Sequence, residues 1–377
     1  MKIAIIGSKG IPAASGGIER YVDELSVRLV KLGHQVLVYC RGWYTNRQRY
    51  QGVKLVYRPS IRTKNLDTIS HTWFSLWDAL YHQKVDLIHV QGVGPSLLVW
   101  VVKILRPSIK VVVTFHCRDS LHQKWGVLAR LFLRWGEALA VRLPQATIAV
   151  SKTLQDYCSK HWSGLVYYIP NGIKTMPQTQ KTKADVLAKF NLRSGYYLLT
   201  VCRLVPHKGV HYLIQAFNLI DNHRFKLVIV GDSSYTDKYV AQLKTLAKDN
   251  PRIIFTGALD YKDLASLYQN AFLYIQASET EGLSLSLLEA QSFGCPALVS
   301  DIEENKEAIG QNGFTFKSTN VSDLAKKISY LLSQRSLVRD TGVKAKLRVR
   351  QEYDWNKIAR QTAKLYEIVM SKEKSKK

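Results

Sequence analysis

Cysteine is sparse: the chain of 377 residues has five, Cys40, Cys117, Cys158, Cys202 and Cys295. The number is odd, and no CxxC or Cys/His spacing occurs, so neither a zinc site nor a disulfide framework is implied and a reducing compartment is expected. Long apolar runs are also missing. The longest, Leu97 to Val102 and on through Ile104 and Leu105, is interrupted by Lys103 and is too short to span a bilayer. The opening MKIAIIGSKG has no separate apolar segment followed by a small-residue cleavage site. No signal peptide is therefore expected, and the chain should be cytoplasmic, soluble or at most attached to the inner face of a membrane. Acidic residues are few, 29 against 54 Lys plus Arg, which gives a formal net charge of +25. Basic residues dominate both halves and suggest a polyanionic neighbour: nucleic acid, an anionic membrane face or phosphorylated ligands. With 46% hydrophobic residues, disorder is excluded. Neither GxGxxG nor GxxxxGK[ST] is present, which weakens dehydrogenase and P-loop readings.

What is present is a strand–helix alternation in two series, joined near residue 170. The first series opens with Lys2–Ile6, a glycine-rich turn from Gly7 to Gly17, and an amphipathic helix over Ile18, Tyr21, Val22, Leu25, Leu29 and Leu32 that Gly33 ends. Further strands are expected at Gln35–Cys40, Val53–Tyr57, Leu87–Val90, Lys110–Phe115, Thr147–Val150 and Val166–Ile169. Pro170-Asn171-Gly172 marks a turn, and the polar stretch Lys174–Lys183 reads as a linker. The pattern restarts with strands at Tyr197–Cys202, Phe225–Val230, Arg252–Phe255, Phe272–Gln276 and Pro296–Ser300. Helices from Val210, around Tyr239–Ala247 and around Leu285–Phe293 alternate with them, and a last helix covers Trp355–Met370. Such alternation argues for two doubly wound parallel sheets, residues 1–172 and 173–354, with the last helix, 355–377, rejoining the first. Two domains of this kind are expected to face a central cleft and to bind ligands at the carboxyl ends of their strands.

Three loops carry candidate chemistry. The first, Gly7 to Gly17, follows a strand and opens a helix, so its amides suit an anion. The adjacent Gly16 and Gly17 allow a close backbone approach. The second places Arg203 and Lys208 in one strand-to-helix loop, where two cations could clamp a diphosphate. The third, Ser278 to Ala290, spaces Glu281 and Glu289 eight positions apart, with Gly282, Leu283 and Ser284 at the entry to a helix. Glu289 is expected about two turns into that helix, where a carboxylate can accept from vicinal hydroxyls.

Taken in order, these segments resemble the family-4 retaining glycosyltransferases of GT-B fold, over nearly the whole chain. Glu281 and Glu289 match the E-x7-E signature, Arg203 and Lys208 the R-x4-K pair, and Gly16 and Gly17 the glycine-rich first loop. Gly231-Asp232, Phe255-Thr256-Gly257 and Gly294-Cys295-Pro296 match further turns, Asn171-Gly172 the hinge, and Tyr353-Asp354-Trp355 the start of the returning helix. GIPAASGGIERYVDEL resembles a bacterial subgroup acting in cell-surface polysaccharide assembly more than sucrose or glycogen synthases. The resemblance implies transfer of a sugar from a nucleotide diphosphate sugar to a hydroxyl acceptor, glycan or lipid-linked, with retention and without a metal or other cofactor. It implies that Arg203 and Lys208 neutralise the diphosphate, that Glu281 and the amides after Gly282 hold the sugar and phosphate, and that Glu289 binds ribose. Gly231, Asp232 and Gly257 would line the donor, and His116 would make a polar contact with the sugar or acceptor. Ser284 and Ser233 stand where the family often has glycine, and His207 where it often has an acid, which bears on donor preference.

Residues Leu121–Pro144 form a basic helical pattern with Trp125, Phe132 and Trp135, and His71, Trp73, Phe74 and Trp77 form a second aromatic cluster. Either lies on anionic lipid or acceptor, or packs in a core; the spacing favours the core. Two other functions fit parts of the sequence. A nucleotide-sugar epimerase would need the donor loops but no acceptor, and a nucleic-acid-binding protein would use the charge, although no specific nucleic-acid module is visible.

Overall fold

The computed structural model describes residues 1–371 except 15, 64–65, 119, 121–126 and 174–182. Most of the expected linker and Asp119 lie outside the described residues. The chain divides into two units, Met1–Gly172 with Trp355–Lys377, and Ile173–Asp354.

Unit 1 carries an eight-stranded sheet: β1 Lys2–Ile6, β2 Gln35–Arg41, β3 Arg49–Tyr50, β4 Val53–Arg58, β5 Leu87–Gln91, β6 Lys110–Phe115, β7 Ala146–Ala149 and β8 Val166–Tyr168. The spatial order is β3-β4-β2-β1-β5-β6-β7-β8, parallel except where the short β3 pairs antiparallel to β4. Helices α1 Gly17–Lys31, α2 Asp67–Tyr81, α3 Val93–Ser96, α4 Val99–Leu105, α5 Val127–Arg142 and α6 Lys152–His161 connect the strands. The strands are short β-branched runs because both faces are covered; all six residues of KVVVTF are buried in β6. Helix α1 buries Tyr21, Val22, Leu25 and Leu29 and stops where Gly33 turns left-handed at φ 88°, with the His34 N–H returning to Leu29 O. Leu32, expected on the apolar face, is an exposed cap instead.

Unit 2 holds helices α7 Lys183–Lys189, α8 Val210–Asn218, α9 Asp237–Ala247, α10 Tyr261–Asn270, α11 Leu285–Ser292, α12 Glu303–Ile309, α13 Val321–Ser333 and α14 Arg335–Glu352. Its six-stranded parallel sheet uses β9 Tyr197–Val201, β10 Lys226–Val230, β11 Ile253–Gly257, β12 Leu273–Gln276, β13 Ala297–Ser300 and β14 Phe314–Phe316, in the order β11-β10-β9-β12-β13-β14. Helix α15, Trp355–Ser371, returns to unit 1 and contributes Trp355, Ile358, Leu365 and Tyr366 to the core around β1 and α1.

Strand order decides where chemistry can sit. In unit 2 the chain winds outward from β9 to β11, then returns to the other side of β9 with β12. The carboxyl ends of β9 and β12 therefore flank a switch point, where the loops diverge and leave a crevice. Unit 1 has the corresponding point between β1 and β5. Strands β3 and β14 were not expected from the sequence; each is very short and not fully buried, so neither has a strong apolar signature.

Candidate functional site

In unit 2 the loops after β9 and β12 are joined at the switch point. Gly209 follows the short turn Pro206–Lys208 with φ 65°, and a Cβ there would fall 2.0 Å from the Ala277 carbonyl oxygen. Only a glycine lets the loops approach so closely. The Glu279 N–H donates to His207 O at 2.8 Å, and Tyr212 donates its hydroxyl proton to Glu279 Oε1 at 3.1 Å. Lys208 Nζ then reaches across to Glu281 Oε1 at 2.6 Å. Glu281 is 8% exposed and the Lys208 side chain 15%, so the pair is largely shielded from water. Arg203 stands exposed at the start of the same loop, just after β9. All three charges act on Cys202: burial pushes its thiol up to about 11, Lys208 and Arg203 pull it down, and Glu281 raises it.

Behind Glu281 the backbone enters α11. Ser284 caps the helix, its Oγ accepting the Leu287 N–H at 3.4 Å and donating to Gln276 Oε1 at 2.7 Å. Gln276 Nε2 donates in turn to Asn305 Oδ1 at 2.6 Å, and Asn305 Nδ2 to Ser300 Oγ at 2.8 Å. This buried polar chain ties the entry of α11 to the ends of β12 and β13. Neither Gln276 nor Asn305 was singled out in the sequence, although a glutamine ending the buried strand LYIQ was a usable signal. Glu289 is the fifth residue of α11, a little over one turn in rather than two, because the helix begins at Leu285. It is 5% exposed and accepts from Tyr268 at 3.4 Å. Both carboxylates act on Tyr274, whose hydroxyl donates to Ser286 Oγ at 2.9 Å; burial drives its ionisation far above the usual tyrosine range, and Glu281 and Glu289 add to that. Arg203, Lys208, Glu281 and Glu289 thus gather around one loop pair and one helix N-terminus.

The remaining unit 2 candidates border this region. Gly231 follows β10 with φ 140°, and a Cβ there would lie 1.8 Å from Cys202 O. The Asp232 carbonyl accepts the Leu204 N–H at 2.9 Å, while its carboxylate accepts from the Ser233 N–H at 2.7 Å. Gly257 bonds through its carbonyl to the Gly231 N–H at 3.0 Å and has open space where a Cβ would be. Gly282 and Leu283 are buried.

Three candidates, Gly16, Gly17 and His116, belong to unit 1. Gly16 caps α1 with φ 93°. The first loop does not present all its amides to an anion, because Lys9 N–H donates to Glu19 at 3.1 Å and Ala13 N–H to Asp23 at 2.8 Å. Helix α1 supplies its own carboxylates to the loop that precedes it. His116 follows β6, its Nε2 2.9 Å from Gln91 Oε1 and its ring edge-on to Tyr21 at 4.9 Å. Beneath it, His89 joins Thr114 Oγ1 at 2.6 Å and the Tyr366 hydroxyl at 2.7 Å. Full burial, with His116 nearby, pulls the His89 imidazole down to about 3.

The core reading of the aromatic clusters is overturned. His71 is buried, but Trp73, Phe74 and Trp77 are 38–40% exposed, and Phe132 and Trp135 are about 60% exposed on α5. Trp125 and the start of the Leu121–Pro144 pattern lie outside the described residues. Helix α2 packs through His71, Thr72, Ser75, Leu76 and Ala79, so that face turns inward and Trp73, Phe74 and Trp77 turn outward. Among the described residues no helix is long and apolar enough to cross a membrane.

Residues 15–176 match the family model described as Glycosyltransferase Family 4, and residues 186–348 the model described as Glycosyl transferases group 1. The Uncharacterized glycosyltransferase MJ1607 of Methanocaldococcus jannaschii is 25% identical over 98% of this chain and 99% of its own. The O-antigen biosynthesis glycosyltransferase WclY of Escherichia coli is also 25% identical, over 74% of this chain and 81% of its own. Among solved structures, the sucrose-phosphate synthase of Thermosynechococcus elongatus matches with a TM-score of 0.82 at 21% identity, covering 98% of this chain and 99% of that one. Anabaena HepE in complex with UDP-glucose matches at 0.79 and 19% identity, covering 97% and 99%. The fold is GT-B.

Proposed function

For a chain that is a GT-B glycosyltransferase built from a family 4 and a group 1 domain, we propose transfer of a sugar from a nucleoside diphosphate sugar to a hydroxyl acceptor with retained anomeric configuration, in cell-surface polysaccharide or glycolipid assembly. One observation supports this assignment: Lys208, in the same loop as Arg203, sits on the shielded carboxylate of Glu281, three residues before the Ser284 cap of α11. That combination can hold a diphosphate and a sugar together. As the bond from the anomeric carbon to the diphosphate breaks, the electron pair leaves with the phosphate. Arg203, Lys208 and the α11 dipole then meet the growing negative charge, with no metal required. The acceptor oxygen bonds to the anomeric carbon on the vacated face, and its proton ends on the departing diphosphate. Glu281 accepts from a sugar hydroxyl, and Glu289, steadied by Tyr268, accepts from the ribose. On unit 1, His116, steadied by Gln91, is the candidate polar contact for an acceptor. The UDP-glucose bound to HepE puts a uridine nucleotide at the head of the donor panel, and the O-antigen role of WclY supports a polysaccharide or glycolipid product.

The test is a thermal-shift panel of UDP, GDP, dTDP, ADP and an oligonucleotide, followed by mass detection of donor hydrolysis. One nucleoside diphosphate should stabilise the protein, and Arg203→Ala and Lys208→Ala should abolish the shift. Stabilisation by the oligonucleotide alone would refute the assignment. So would conversion of donor to an isomer without acceptor, which is the epimerase outcome.

A further inference from the structure

Unit 1 exposes an aromatic ladder that the transfer reaction does not use. Along α2, Trp73 and Trp77 lie 5.9 Å apart, Trp77 stacks on Tyr81 at 5.0 Å, and the Arg106 guanidinium stands 5.1 Å from the centre of the Tyr81 ring. These rings are 38–42% exposed. Arg106 directly follows α4, on which Trp100 is 44% and Ile104 69% exposed. Helix α4 packs against α5, where Phe132 and Trp135 are also exposed. Large apolar side chains on three neighbouring helices exceed the scatter of single exposed residues on a monomer's surface.

The charges on these helices are sorted. Their carboxylates among the described residues are Asp67, Asp78 and Glu137. Asp67 pairs with Arg41 at 3.1 Å, Asp78 pairs with Arg58 and accepts from Tyr39, and Glu137 is fully buried, accepting from Ser120 and Tyr157. All three are turned inward, whereas Arg106, Arg130 and Arg134 are exposed. An apolar, ring-rich face edged by cations and cleared of anions is complementary to one surface in particular. Trp and Tyr settle at the headgroup level, aliphatic tips such as Ile104 enter the acyl boundary, and Arg reaches anionic headgroups.

We propose that the α2–α4 face of unit 1 docks on an anionic lipid surface. A stacked pair such as Trp77 and Tyr81 has its ring faces partly covered by each other, which suits burial at an interface better than stacking on sugar rings. The proposal stands on unit 1 alone, independent of the donor site in unit 2.

Vesicle co-sedimentation of the full chain tests it, with phosphatidylglycerol–phosphatidylcholine vesicles against phosphatidylcholine alone. Binding is expected with the anionic vesicles, weakening with salt. Arg106→Gln should weaken it roughly fivefold, the value of one interfacial cation, and Trp77→Ala with Tyr81→Ala about tenfold or more. Unchanged nucleotide-induced stabilisation would show that the donor site survives in these variants. Should the double variant misfold, the exposed single changes Arg106→Gln and Trp100→Ser carry the test. Failure of the wild type to sediment with anionic vesicles overturns the proposal, as does wild-type binding by the variants. A dimer in velocity sedimentation that the double variant converts to monomer would also overturn it, by assigning the face to a second copy.

Discussion

Removing the Lys208 ammonium is the sharpest test of the unit 2 site, because one contact there is asked to do two things. The 2.6 Å contact joins a carboxylate that is 8% exposed to a lysine that is 15% exposed. At an effective dielectric of about 20, two unit charges this close attract by about 6 kcal/mol, most of it offset by desolvation. A net coupling of about 1–3 kcal/mol is expected from a double-mutant cycle on unfolding free energy with Lys208→Met, Glu281→Gln and the pair. Lys208→Met should be the more damaging single change, since it leaves a shielded carboxylate without its cation, whereas Glu281→Gln leaves an amide and a lysine on a flexible stem. Calorimetric titration with the preferred nucleoside diphosphate supplies the second readout. Loss of a charge-assisted phosphate contact, at about 1.5–3 kcal/mol, predicts binding weakened roughly 10- to 150-fold in Lys208→Met. Glu281→Gln removes a repulsive carboxylate from the diphosphate and should bind the bare nucleotide at least as tightly as wild type. It should nonetheless lose the extra affinity of the sugar-bearing donor. Wild-type nucleotide affinity in Lys208→Met, or a cycle coupling below about 0.3 kcal/mol, would refute the reasoning.

Three further outcomes follow from the same geometry. Gly231→Ala places a Cβ 1.8 Å from a backbone oxygen that cannot swing aside, so unit 2 should lose about 3 kcal/mol or fail to fold, read as a lowered denaturant midpoint. Gly16→Ala meets the end of a flexible side chain instead, Glu19 Oε2 at 2.1 Å; about 1–2 kcal/mol should be lost, with faster hydrogen exchange at the Lys9 amide as Glu19 lets go. Burial lowers His89 to about 3, and burial with Arg41 nearby lowers His71 to about 4, both from an ordinary 6.5. Between those values the unfolded chain binds more protons, so stability is full above pH 6.5 and falls on acidification. At pH 5.5 each histidine should cost about 1.4 kcal/mol. Urea midpoints measured from pH 7 to 4.5 should show this fall, and His71→Leu should reduce its slope by about half; an unchanged slope would contradict the assignment.

The sheets were legible because buried parallel strands have to be β-branched runs bounded by turns, which KIAII, KVVVTF and KLVIV plainly are. The loops at the unit 2 switch point were legible as loops too, since charged residues and glycine at strand ends have few structural reasons to recur in order. What stayed hidden depends on partners distant along the chain. Tyr366 meets His89 across 277 positions, and nothing local to either residue announces it. The Gln276–Asn305 link is similar, with each residue looking like an ordinary polar position until the ends of β12 and β13 come together. Helix α2 misled for another reason. The i, i+4 spacing of Trp73, Trp77 and Tyr81 marks a stripe but does not say which way it faces, and packing through the other face turned it outward. In the sequence the first loop looks like a row of amides open to an anion, because Glu19 and Asp23 resemble surface charges until the loop folds back onto α1.

The placement of α15 has a consequence for biosynthesis. Trp355 lies where a Cβ on Gly172 would be, and Ile358, Leu365 and Tyr366 fill the layer over β1 and α1, so unit 1 is finished by a segment made only after the whole of unit 2. Until then its emerging portion has an open apolar trough, open to chaperones or to aggregation, while residues 173–354 can condense ahead of it. A gene fragment stopping at Gly172 should yield insoluble product, and supplying the terminal helix as a separate peptide should recover soluble protein.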